Sequence, residues 1–182
     1  MAILTRTRLS LLTESKLGTR MFSEALNEAK RETRTTATVS VFLSHSHDDL
    51  EKADVNKIIV ILRKAGIRVY IDSLDSSLPP FTSAETAKKI KEQIKLNKKF
   101  VLLATNKAIN SKWCNWELGF GDAHKYLAHI ALFPLADTSV GWNGNEYLRI
   151  YPRIEESETR PEIFRVIFPD GTTKLLSEWL TF

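Results

Sequence analysis

Cysteine is almost missing from this 182-residue chain, in which Cys114 stands alone. A disulfide framework is therefore excluded, and the fold must rest on its apolar core. Long apolar runs are missing too: none approaches the roughly 20 residues that span a bilayer, and charge interrupts the longest, so no membrane insertion is expected. The start, Met1 to Thr13, places Arg6 and Arg8 before Leu9, Leu11 and Leu12, yet lacks the apolar stretch of a secretory signal. Glu14, Glu24 and Glu28 follow too soon for an acid-poor transit peptide. These absences point to a cytoplasmic protein. The net charge of +4 is modest, and its densest basic group, Lys88, Lys89, Lys91, Lys95, Lys98 and Lys99, has none of the interleaved aromatics of a nucleic-acid footprint. It reads as a solvated helix face, and no nucleic-acid partner is expected. Phosphate-binding glycine motifs are also wanting, because Gly119-Phe120-Gly121 lacks a third glycine and does not follow a strand.

What is present suits one folded unit: 43% of the residues are apolar, and a chain of this length buries roughly 70% of its unfolded surface. Thr38 to Ser44 is rich in β-branched and aromatic residues and ends in a polar cluster, so it reads as a strand followed by a loop. Val55, Ile58, Ile59 and Leu62 mark one helix face that Gly66 can end, and Ile67 to Ile71 is a second strand. Pro79 and Pro80 make Asp72 to Phe81 a shaped loop. Thr82 and Glu85 have capping-box spacing ahead of a helix carrying Ala87, Ile90 and Ile94. Phe100 to Ala104 is the third strand, Thr105 to Ser111 its loop, and Ser111 a cap for a helix with the stripe Trp113, Trp116, Phe120, Ala123 and Leu127. His129 to Leu135 is the fourth strand and Tyr147 to Tyr151 the fifth, stopped by Pro152. Pro169-Asp170-Gly171 joins Ile163–Phe168 to Thr172–Leu176 as a hairpin.

Alternating strands and helices imply an α/β fold, a five-stranded parallel sheet covered on both faces, for which the common order is 2-1-3-4-5. Residues 1–37 are expected to be an amphipathic helical extension, 38–152 the α/β domain, and 153–182 a hairpin packed on it. In that order ligands bind outside the carboxyl ends of strands 1 and 3, which here carry Ser44–Asp49 and Thr105–Glu117.

Glu117 is the most informative residue at that site. Its helical neighbours Trp113, Cys114, Phe120 and Gly121 include no cation, so its carboxylate either lines a pocket or meets a partner from elsewhere in the chain. A structural Glu bonded to backbone across the cleft is the rival reading. Ordinary glycoside hydrolysis uses two carboxylates, and no convincing second one stands near it in sequence. One suffices if the leaving group is nicotinamide, which departs from a cationic pyridinium as a neutral molecule. The carboxylate then stabilises the positive charge that develops at the anomeric carbon. In Ser44-His45-Ser46-His47-Asp48-Asp49 the spacing is too short for a structural zinc site; capping by Asp48 or Asp49, with Ser44 or His45 facing a ligand, fits better. Those aspartates would also suit a receiver domain, but Leu103-Ala104-Thr105 lacks its phosphoacceptor. Cys114 could pair with His124 or His129 as a nucleophile, although a lone Cys among tryptophans is more often core packing. Trp142 either covers a ligand or plugs its loop.

Val39 to Ser46, Val69-Tyr70-Ile71-Asp72 and Ser111-Lys112-Trp113-Cys114-Asn115-Trp116-Glu117 together resemble a Toll/interleukin-1 receptor (TIR) domain, from about Thr38 to about Pro152. The Trp-Cys-x-x-Glu element is the specific one. The resemblance implies a flavodoxin-like fold, catalysis by Glu117, and contacts to NAD+ from Ser44, His45, Asp72, Trp113 and Cys114. NAD+ is then substrate, with no cofactor and no metal. It also implies a BB loop at Ser73 to Phe81 that gates the site and mediates self-association. A nearly bare domain of this kind is similar to bacterial antiphage enzymes of the Thoeris type, which hand a cyclic ADP-ribose-type signal to a separate effector. A non-catalytic TIR scaffold and a nucleoside deoxyribosyltransferase are the alternatives.

Overall fold

The computed structural model describes residues 3–14, 27, 40–47, 49, 54–64, 67–78, 83–137, 144 and 146–182. The strands are β1 (Leu4–Thr5), β2 (Ser40–Ser44), β3 (Arg68–Tyr70), β4 (Lys99–Ala104), β5 (Ile130–Ala136), β6 (Arg153–Glu156), β7 (Phe164–Ile167) and β8 (Thr173–Leu175). The helices are α1 (Arg6–Glu14), α2 (Asp54–Arg63), α3 (Ala84–Leu96), α4 (Asn106–Asn110), α5 (Lys112–His124) and α6 (Leu176–Thr181).

The central strands run β3-β2-β4-β5-β6, all parallel. This is the expected 2-1-3-4-5 order. Every residue of β4 and β5 is buried, as continuous runs must be in a parallel sheet covered on both sides. Alternation then divides them. Val41, Leu43, Val101 and Leu103 face one core layer with Leu9, Ile58 and Trp179, while Phe42, Phe100 and Leu102 face the other with Ile90, Ile94 and Leu118.

The chain departs from its sequence pattern at several places. Tyr147–Tyr151 is not the fifth strand: Glu146–Ile150 is a 3-10 turn, and its Leu148 is buried together with Tyr151 just past its end, three apart, the period of that tighter helix. The fifth strand begins just after Pro152, whose carbonyl accepts from the Leu132 amide at 2.8 Å. Thr105 to Ser111 is not a plain loop either, because the Thr105 hydroxyl accepts from the Ala108 amide at 3.0 Å and starts α4. Helix α3 is capped by Ser83, which accepts from the Thr86 amide at 3.1 Å. Glu85 instead pairs with Lys89 at 3.3 Å, and Thr82 lies outside the described residues, as do Gly66 and Trp142. The hairpin forms as expected, with Gly171 at φ 85°. It does more than pack on the sheet, since β7 pairs antiparallel with β6 and extends it.

At the amino-terminal end of the central strands, Lys99 is fully buried. Its Nζ lies 3.0 Å from His129 Nδ1 and 4.6 Å from the centre of the Trp179 ring on α6. The Trp179 indole N–H donates to the Ala128 carbonyl at 2.7 Å, which pins α6 to the sheet.

The first residues are built into the carboxyl-terminal end of the sheet. β1 pairs in parallel with the last residues of β5, and Leu9 and Leu12 of α1 enter the core. Arg6 reaches Asp54 at 2.6 Å, Asp49 at 3.5 Å and Asp137. Asp49 and Asp54 have almost no exposure, so Arg6 neutralises carboxylates that water cannot reach. Removing one partner of such a buried pair typically costs about 3–5 kcal/mol. Arg6→Ala is expected to lower unfolding stability by about 3 kcal/mol in urea titrations, with Arg6→Lys intermediate because it loses the guanidinium fork.

Candidate active site

Ser44 ends β2, Thr105 follows β4, and Glu117 lies on the second turn of α5. All three stand at the carboxyl end of the sheet where its order reverses. The Ser111 hydroxyl accepts from the Cys114 amide at 3.3 Å and sets the start of α5, as its sequence suggests. The buried stripe is displaced from the expected aromatic one. Cys114, Glu117, Leu118 and Gly121 face the sheet, whereas Trp113, Trp116 and Phe120 are half-buried along the flank and Ala123 and Leu127 are exposed. Small residues permit this: a Cβ on Gly121 would sit 3.3 Å from the Phe100 ring. The bulky residues stack beside it, Trp113 on Trp116 at 4.8 Å, with Lys91 5.5 Å from the Trp116 ring centre.

That displacement puts Glu117 on the sheet-facing side with 1% exposure. The Ser44 hydroxyl donates to its Oε2 at 2.5 Å, and its Oε1 is buried without a hydrogen-bond partner among the described residues. Burial holds the carboxyl well above its usual range, and the charge of Asp72 adds to the rise; Ser44 and then Trp113 oppose it. The rival reading, a Glu bonded to backbone across the cleft, does not describe this geometry, in which the partner is a side-chain hydroxyl.

The other expected site residues gather around it in different ways. Asp72 opens a 3-10 turn, Asp72–Leu74, and its Oδ1 accepts from the Ser73 amide at 2.8 Å. Its charge also bears on Cys114 and Tyr70. Cys114 is buried, and burial pushes its thiol up to about 12, which disfavours the thiolate. His124 is engaged with the Phe120 carbonyl and ring, and His129 with Lys99. Both histidines are thus engaged away from Cys114, and the described residues assemble no Cys–His pair. His45 has both ring nitrogens turned inward, Nε2 3.1 Å from the Ser73 hydroxyl and Nδ1 3.8 Å from Asp72.

His47 and Asp49 are helical, and Asp49 reaches back to the start of that turn: its carboxylate accepts from the Ser46 amide at 3.3 Å, and from the Thr105 hydroxyl at 2.9 Å. It thus ties together the loops after β2 and β4. Among the described residues no three His, Cys, Asp or Glu side chains are grouped as metal ligands. Sequence reasoning missed Ser73 and Arg6. Neither has a local signal, since their partners lie 28 and 43 or more residues away. Leu78 is the last described residue of the loop expected at Ser73 to Phe81 before Ser83.

A carboxyl group whose folded pKa exceeds its unfolded one binds its proton more tightly in the native state. Stability therefore falls as pH rises from the usual carboxyl range towards the folded value, by about 1.4 kcal/mol per pH unit. Glu117→Gln removes this titration and keeps the shape. The variant should melt at a higher temperature than the parent at pH 7–8, with the difference shrinking towards pH 4, as thermal unfolding across that range would show.

A family model described as TIR domain matches residues 41–164. Among curated proteins, the chain is 30% identical over 135 residues to the probable 3' cyclic ADP-D-ribose synthase ThsB' of Bacillus cereus (strain MSX-D12). That match covers 68% of this chain and 66% of the relative, just under two thirds of its length. The crystal structure of the TIR domain of the Toll-related receptor TRR-2 from the lower metazoan Hydra magnipapillata is similar with a TM-score of 0.41 at 19% identity, over 52% of this chain and 69% of that one. The family model takes in β2 through the start of β7, the strands that form the parallel sheet and the helix that carries Glu117, and on that match the chain belongs to the TIR domain family.

Proposed function

We propose that this chain cleaves the nicotinamide-ribose bond of NAD+ and releases nicotinamide with ADP-ribose or a cyclic ADP-ribose-type product. The observation that carries the reading is the buried carboxyl of Glu117, with one oxygen held by Ser44 and the other unpartnered among the described residues. Such a group lacks a cation. A ligand that brings positive charge to it, and gains more as the bond breaks, is stabilised most at the transition state. At an effective dielectric constant of 20, a unit charge 4 Å from a carboxylate is worth about 4 kcal/mol.

The substrate supplies both charges. Its nicotinamide-ribose unit is cationic, and as the C1–N bond lengthens the positive charge moves onto the ribose. Nicotinamide leaves neutral with the bonding pair, so no acid is needed. Ser44 orients the carboxylate, Trp113 walls the pocket, and Asp72 repels the charge on Glu117 until a cation arrives. The likeness to a relative named as a probable cyclic ADP-ribose synthase supports this substrate class. Among the described residues no helix is long and apolar enough to cross a membrane. A cytoplasmic role in bacterial antiphage defence, self-association through Ser73–Phe81 and a separate effector that senses the product belong to the same proposal.

Purified protein, incubated with NAD+ over a range of concentrations, should release nicotinamide, and Glu117→Ala should lose at least about 100-fold of that rate. Because the carboxyl must ionise to act and its pKa is raised, kcat/KM should climb with pH through a value above the usual carboxyl range. No release at any concentration would favour the scaffold reading.

A further inference from the structure

Cleavage is only half of the reaction, and the second half needs a group that the first does not. When an oxygen nucleophile, water or a ribose hydroxyl, bonds to the ribosyl carbon, it must shed a proton. Glu117 is committed to the cation until that bond has formed. A base is wanted beside it.

His45 directly follows Ser44, the residue that holds Glu117; its side chain is 1% exposed, and Asp72 Oδ1 lies 3.8 Å from Nδ1. The Leu43 carbonyl oxygen is 3.4 Å from the same nitrogen. A proton on Nδ1 suits both the Leu43 carbonyl and the Asp72 carboxylate and leaves the lone pair on Nε2. Nε2 faces the Ser73 hydroxyl at 3.1 Å, which therefore donates to it. Ser73 is half-buried while the imidazole is not reachable by solvent. The arrangement is hydroxyl, neutral imidazole, carboxylate, in which the base is oriented by a third group. Asp72 belongs both to this chain of groups and to the charges around Glu117.

We propose that Ser73, His45 and Asp72 form a proton relay for capture of the ribosyl cation: the attacking oxygen gives its proton to Ser73 as Ser73 gives its own to His45. The new C–O bond forms with the oxygen's electron pair, the imidazole becomes imidazolium beside the Asp72 carboxylate, and the proton later returns to solvent. This rests on the NAD+-cleaving reading above. The groups facing His45 are Asp72 from the turn after β3 and His47 and Asp49 from its own loop. Burial holds the imidazole below its usual range, and Asp72 opposes that, so the relay stays competent into mildly acidic conditions.

The test compares two acceptors. A neutral pyridine attacks the cation without losing a proton, so exchange of nicotinamide for added pyridine needs no relay, whereas formation of ADP-ribose or an oxygen-linked cyclic product does. The ratio of oxygen-linked product to pyridine exchange should fall at least tenfold, and up to about 100-fold, in Ser73→Ala and in His45→Gln. Ser73→Thr should restore it. In the parent protein alone, the ratio should also drop as pH falls through the imidazole's value. A damaged fold would depress both products together and leave the ratio unmoved. An unchanged ratio in a Ser73→Ala protein that exchanges pyridine at the parent's rate overturns the relay while cleavage stands. Parent protein that releases no nicotinamide overturns the cleavage reading, and the relay with it.

Discussion

The hydrogen bond from Ser44 to Glu117 joins the end of the first central strand to the helix after the third, and most of the architecture serves to make it possible. It crosses the point where the sheet reverses its order. For Ser44 to stand there, β2 must pair with both β3 and β4. For Glu117 to reach it, α5 must lie close against the sheet, which the missing side chain of Gly121 allows. A larger residue at 121 would push the Phe100 ring or lift the helix. The cost of holding a carboxyl group in that position is met by core packing on both faces, and the group is left with a demand for positive charge that the described residues do not satisfy.

Around this contact the loops are cross-tied by polar groups, several of them buried, Asp49 and His45 foremost. Asp49 holds the loop after β2 to the one after β4 through Thr105, and Arg6 brings in the beginning of α2 and the end of β5. His45 and Ser73 do the same for the turn after β3. Each of these ties joins a described part of the carboxyl edge to a partner distant in sequence. Ties of this kind suit catalysis by preorganised electrostatics, where displacement of the charged group weakens its effect.

The parallel sheet was legible because its strands are uninterrupted apolar runs separated by helical spacing, and its order is the common one for five such strands. Glu117 was legible because its helical neighbours offered no cation. What failed was local reading where shape overrides pattern. The tryptophan stripe looked like the inner face of α5, yet indoles are too bulky for a helix that approaches the sheet this closely, so Cys114, Leu118 and Gly121 took that face. Tyr147 to Tyr151 has the composition of a strand, but burial at a spacing of three made it a 3-10 turn. Arg6 and Ser73 were silent in sequence, since long-range ion pairs and hydroxyl contacts leave no periodic trace.

The lysine packed under Trp179 has an optical consequence. That indole is locked at the amino-terminal end of the strands by a cation 4.6 Å from its ring centre and a hydrogen bond to a carbonyl. Trp113 and Trp116, by contrast, stack on the helix that carries Glu117. Three of the four tryptophans thus divide between opposite ends of the sheet, two beside Glu117 and one remote from it. Single-tryptophan versions would separate occupancy of the site from loosening of the scaffold by light alone.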